Sequence, residues 1–202
     1  MRRKLIHMRS WRSHLFTFVL FCSGSLLFAA STAEEMSSYR AWHDLCLQGD
    51  VKVIDQQITK FEQQLTSNPK DHLAKAFLGS ACALRAKYGK WGPTKLKYLN
   101  RGRKLANSAV ASAPSDGRVR MVRAIAYSRI PSRFGVKDIA VQDFQALIFL
   151  AKSGEGLTKC ERQAILYHAG KTFQDEKIEG AAELFALCKQ IDPHSSYAQR
   201  IQ

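Results

Sequence analysis

Apolar residues recur at three- and four-residue spacings through almost the whole chain, with no sustained alternation and few β-branched clusters. A strand facing a core needs a period of two, whereas spacings of three and four place side chains on one face of a helix. The pattern therefore predicts an all-α fold. Breakers divide it into about eight helices of ordinary length. They are Gly49 and Asp50, Asn68 and Pro69, Gly89 to Pro93, Pro114 to Gly117, Pro131 to Gly135, Ser153 to Gly156, and Pro193. Asp71, Thr94, Ser115 and Asp116 follow the breaks, where a side-chain oxygen can accept from the free amides of a first helical turn.

The N-terminus follows a different plan. Arg2, Arg3, Lys4, Arg9 and Arg12 stand without an acid and lead into the apolar stretch 15–30, followed by the small residues Ser31, Thr32 and Ala33 and then by Glu34 and Glu35. This is the order of a secretory signal peptide, with cleavage expected after Ala33. The apolar stretch is interrupted by Ser23, Gly24 and Ser25 and falls short of the roughly 20 residues a span requires. No transmembrane span is expected in the mature chain, and Phe21 before Cys22 does not suit a lipidation site.

Taken in pairs, the helices repeat. Pro69, Pro114 and Pro193 each close a second helix, and Phe61, Ala106 and Phe185 stand eight residues before them. The pairs fall at about 35–69, 70–114, 115–154 and 155–193, followed by a short tail, within one domain beginning at residue 34. Ala181, Phe185, Cys188 and Pro193, after Ala169 and Gly170, resemble the pattern of a tetratricopeptide repeat (TPR). Gly102, Ala106, Ala109 and Pro114, after Leu78 and Gly79, repeat the spacing; Ala124, Tyr127, Ala140, Phe144 and Leu147 give a weaker copy. Small residues at these points let paired helices cross closely, and the large one fills the gap beside them. The units exceed the usual 34 residues. The segment from His72 to Lys87 is also apolar nearly all round, as in a helix buried on every side. The resemblance implies antiparallel helix pairs stacked into a compact bundle or short superhelix.

Charge sharpens the picture. The chain carries +14, and removal of the leader's five bases leaves +9. Residues 84–137 hold fourteen bases and one acid, Asp116, while both flanks are mildly acidic. Lys97, Arg101 and Lys104 share a helix face, Arg120 and Arg123 share another, and Arg133 lies in the following loop, with Lys87, Lys90 and Lys95 also in or near the loops. Together they form the candidate basic patch for an anionic lipid or an envelope polyanion. With one acid among fourteen bases, few intramolecular partners are expected. Nucleic acid is disfavoured by the leader and by the absence of a recognisable binding motif.

Other features have bland readings. Trp91, between Gly89 and Pro93, is expected to fold back over the core, as is the apolar part of the segment 130–135. Four cysteines follow the leader: Cys46, Cys82, Cys160 and Cys188. Their even number permits disulfides, with Cys46–Cys82 and Cys160–Cys188 the convenient pairs. Their positions within helices favour buried free thiols. His43 and Cys46 could offer two ligands to a metal, but a site needs three or four. No nucleophile elbow, phosphate loop or paired carboxylates are recognisable, so no cofactor, metal or catalytic residue is assigned. The chain resembles the accessory TPR proteins that Gram-negative cells place outside the inner membrane. That resemblance implies a periplasmic or secreted scaffold with a protein partner and no cofactor; the residues support no enzymatic activity, and an enzyme of unrecognised class stands third.

Overall fold

The computed structural model describes the backbone of residues 22–201 and the side chains of residues 34–201. The basic start of the expected leader and its first apolar residues lie outside the described residues, as does the side chain of Cys22. The helices are α1 (Cys22–Cys46), α2 (Val51–Ser67), α3 (His72–Tyr88), α4 (Gly92–Ser112), α5 (Gly117–Ser128), α6 (Lys137–Ser153), α7 (Lys159–Asp175), α8 (Ala181–Ile191) and the short α9 (Ser196–Gln199). A single 3-10 turn, Ser132–Phe134, joins α5 to α6. Among the described residues there is no strand. The expected cleavage point after Ala33 falls within α1, and the first described core residue is Met36.

The breaks form where local chemistry ends one helix and starts the next. Asp50, Asp71 and Asp116 cap α2, α3 and α5 with side-chain oxygens that accept first-turn amides. Thr94 does not cap α4. That helix begins two residues earlier, behind Trp91 and with Pro93 in its first turn, where a missing N–H costs nothing. Thr158 and Glu161 form a reciprocal capping box on α7. The turn between α7 and α8 contains no proline. It reverses through Lys177 at φ 57° and Gly180 at φ 95°, a left-handed conformation that glycine adopts readily.

Each odd-numbered helix packs against the even one that follows it, as α1 with α2, α3 with α4, α5 with α6 and α7 with α8. The odd helices also touch one another in series, α1 to α3 to α5 to α7, while α2, α4 and α6 each reach forward to the next odd helix. The result is two layers, with the odd helices in one and the even helices in the other. Layer position explains α3, which meets α1, α2, α4 and α5 and buries ten of its residues, from Leu73 to Ala86.

The closest crossing is α3 with α4. A Cβ built on Gly102 would stand 2.6 Å from the Gly79 carbonyl oxygen, and one on Gly79 would stand 2.9 Å from the Gly102 oxygen. Two backbones thus lie in contact at the glycines singled out by the repeat. At α7 and α8 the same role is divided: a Cβ on Gly170 would meet the Phe185 ring at 2.6 Å. The first pair closes around aromatics. Phe61 and Phe77 stack with centroids 6.0 Å apart, and Tyr39 packs edge-on against both. The Tyr39 hydroxyl donates to Asp71 Oδ2 at 2.5 Å, Gln64 Nε2 donates to the same oxygen, and Oδ1 caps α3. One carboxylate therefore fastens α1, α2 and α3 together.

Candidate functional site

The basic block does not stand alone in space. Arg85 pairs with Asp55 at 2.7 Å, Arg101 with Glu62, Arg118 with Glu161 at 2.5 Å, and Lys137 with Glu176 at 3.5 Å. Arg120 and Arg123 converge on Asp143 at 2.9 and 2.8 Å; the aspartate side chain is only 2 % exposed. Every one of these acids comes from a flank of the block, delivered by a neighbouring helix. The scarcity of partners expected from the local charge count is thus corrected by packing.

The six candidate patch residues accordingly separate. Arg101, Arg120 and Arg123 are engaged in ion pairs between helices, and Arg123 also reaches Asn107. Lys97 and Lys104 are exposed on α4. Arg133 is exposed over the Phe134 ring, 4.9 Å from its centroid. Half of the expected patch is thus tied between helices, Arg123 nearly buried and Arg101 at a partly exposed pair.

The concavity lies elsewhere, along the odd-helix layer. A shallow strip of about 100 Å³ crosses α1, α3, α5, α7 and α9, over Met36, Phe77, Met121, Ile125 and Ala164. Arg40 spans part of it, donating to the Tyr197 hydroxyl at 2.7 Å and to Cys160 Sγ at 3.1 Å. His43 and His168 border the strip and are held neutral. Burial, reinforced by the positive field of Arg129 and Arg40, pulls His43 down to about 4; burial with Arg129, Arg200 and Arg40 pulls His168 down to about 3. His43 Nε2 shares a 2.8 Å hydrogen bond with Ser80 Oγ.

At one end, where α1, α3, α4 and α5 meet, the strip deepens into a cleft of about 490 Å³. Its floor is apolar, made by Ala83, Leu84, Leu99, Ile125 and Ile130, and its cations are Lys87, Lys95, Arg129 and Arg133. No acid lines it. Among the described residues none of these four cations has a carboxylate partner. A volume of this size is typical of small-molecule sites, which fall at about 300–1,000 Å³. All four cations belong to the basic block, and three of them, Lys87, Lys95 and Arg133, are among the cations of the expected patch in or near the loops. The sequence does not single out Arg129; its signal is its place at the end of α5, ahead of Pro131.

The remaining sequence candidates are placed plainly. The two convenient disulfides do not form: Cys46, Cys82 and Cys188 are buried free thiols, and Cys160 is an exposed one. Burial pushes Cys46 and Cys188 up to about 11 and Cys82 up to about 12. Cys46 turns back to the Trp42 carbonyl on its own helix rather than joining His43. Among the described residues no group of three His, Cys, Asp or Glu side chains could hold a metal ion. Trp91 does not cap the core; it is 70 % exposed, whereas Ile130 is buried and Phe134 packs against a core cluster. Among the described residues no helix is long and apolar enough to cross a membrane. Comparison of the chain with models of protein families, with curated proteins and with solved structures finds no match.

Proposed function

We propose that the protein is an exported, TPR-like scaffold that receives a segment of a protein partner along its odd-helix face. The observation that carries the reading is the serial contact of α1, α3, α5 and α7, which presents one face of four successive helix pairs as a continuous strip. Repeats stacked in this way create an extended surface on which a partner can lie. The glycine crossings at Gly79, Gly102 and Gly170 support the resemblance to that repeat. The order of bases, apolar stretch and small residues up to Ala33, which resembles a secretory leader, supports export to the periplasm or the medium. No catalytic residue is assigned. The alternative, a peripheral binder using the central basic patch, is weakened by the ion pairs that occupy Arg101, Arg120 and Arg123.

A photo-crosslinking amino acid at Asp44, on the strip, tests the reading against one at Gln145, on the even layer. In the native envelope the first position is expected to give a discrete adduct with one protein, and the second none. Equal adducts from both, or none from Asp44, refute the scaffold. Intact mass of the exported chain tests processing: a chain beginning at Glu34 is expected, and one beginning at Met1 refutes cleavage.

A further inference from the structure

The cleft differs chemically from the strip it opens from. Every charged side chain lining it is a cationic donor: Lys87, Lys95, Arg129 and Arg133. The other polar side chains there, His43 and Ser80, are bonded to each other. Among the described residues the lining holds no side-chain carboxylate and no side-chain amide.

A peptide laid in the cleft would bring one N–H per residue and find, apart from Ser80 and His43, which already share a hydrogen bond, no side chain to accept it, a costly shortfall away from water. A ligand that only accepts, and whose remainder is hydrocarbon, leaves nothing unsatisfied. Its body removes the floor from water, and its anionic head gains charge-assisted hydrogen bonds from lysine and arginine. Exposed Leu47 and Leu96 at the margin extend the apolar wall toward the mouth.

We propose that this cleft binds a single-chain anionic amphiphile of the fatty-acid class, with its hydrocarbon body on Leu84, Leu99, Ile125 and Ile130 and its carboxylate among Lys87, Lys95, Arg129 and Arg133. The site goes beyond the scaffold reading and does not rest on it. Lys95 and Arg133 line the cleft and not the strip, so reversing them leaves the proposed partner surface intact.

Calorimetric titration of the purified chain with dodecanoate below its micellar range tests the assignment. Saturable binding of one equivalent is expected, with no comparable binding of dodecyltrimethylammonium or dodecanol. The double variant Lys95→Glu/Arg133→Glu should weaken dodecanoate roughly tenfold or more, while Lys97→Glu/Lys104→Glu, outside the cleft, should leave it unchanged. Ala83→Phe, which fills the floor, should abolish binding with the helical circular-dichroism signal retained. If Ala83→Phe does not fold, the ligand series and the charge reversals still decide. The proposal is overturned if the cationic or neutral chain binds equally well, if no saturable binding occurs, or if the cleft reversals change nothing. It is also overturned if an acidic leucine-rich peptide binds more tightly than dodecanoate and loses affinity in the same variants, since the occupant is then a protein segment.

Discussion

Replacing Gly102 by alanine opposes two effects of different sign. Within a helix, alanine is favoured over glycine by about 1 kcal/mol, so propensity alone predicts stabilisation. At this position, however, the new Cβ meets the Gly79 carbonyl oxygen at 2.6 Å, Ala83 N at 3.2 Å and Cys82 Cβ at 3.3 Å. Carbon and carbonyl oxygen in contact normally stand roughly 3.3–3.6 Å apart, so α3 and α4 must separate by nearly an ångström. A gap of about 0.5–1 Å forfeits a quarter to a half of each dispersion contact it opens. Overpacking of this kind typically costs about 1–3 kcal/mol, and obstruction by backbone rather than a movable side chain places Gly102 at the upper end. After the propensity gain, a net loss of about 1–2 kcal/mol is expected, or a fall in melting temperature of roughly 2–8 °C for a domain of this size. Urea denaturation followed by circular dichroism measures it. Gly92→Ala provides the comparison, because nothing lies within 4 Å of its added Cβ. The double variant Gly79→Ala/Gly102→Ala should lose less than the sum of the singles, since both push the same two helices apart. A Gly102→Ala protein as stable as the parent, or more stable, would refute the close crossing.

Asp143→Ala should destabilise by about 3–5 kcal/mol in the same assay, because it leaves Arg120 and Arg123 facing a vacated buried site; a loss below about 1 kcal/mol would class the triad with exposed pairs. The two neutral histidines make the fold acid-sensitive. Their folded pKa values, about 4 and about 3, lie below the ordinary value, so the unfolded chain takes up protons first. The stability conferred by holding them neutral is complete above pH 6.5 and declines as pH falls toward 4, by about 1 kcal/mol per pH unit for each ring. His168→Gln should flatten that decline between pH 7 and pH 5, and an unchanged slope would exclude the ring as its source. A thiol reagent added to the native protein should find Cys160 quickly and Cys46, Cys82 and Cys188 only on unfolding; more than one rapid equivalent from these four would contradict their burial.

The helices were legible because the sequence punctuates them. Proline and glycine close α2, α3, α4 and α5, and the apolar circumference of α3 announces its position between layers. The close crossing was legible too, from Gly79 and Gly102 at matching places in paired helices. Other features were hidden because they depend on which helices become neighbours. No local count assigns Asp143 to Arg120 and Arg123, or Glu161 to Arg118 across 43 positions; only the stacking of α5 against α6 and α7 does so. The same ignorance turned a set of cementing arginines into an expected surface patch. It also hid the cleft, whose cations come from the ends of α3, α4 and α5 and from the turn that follows α5. Trp91 misled because a large aromatic beside glycines resembles a core plug, whereas its place ahead of α4 points it into solvent.

The interleaved ion pairs also impose an order on how the chain can acquire its structure. During synthesis, N-terminal segments emerge first and fold as their contacts become complete. Arg118, Arg120 and Arg123 emerge ahead of Asp143 and Glu161, so α5 is presented as a run of cations before its counter-charges exist. The first two hairpins can close early, because Asp55 and Glu62 precede Arg85 and Arg101. The third must wait for α6 and α7. A nascent or truncated chain ending before residue 143 is therefore a folded front half trailing an uncompensated polycation, the form most exposed to capture by any anionic surface it meets.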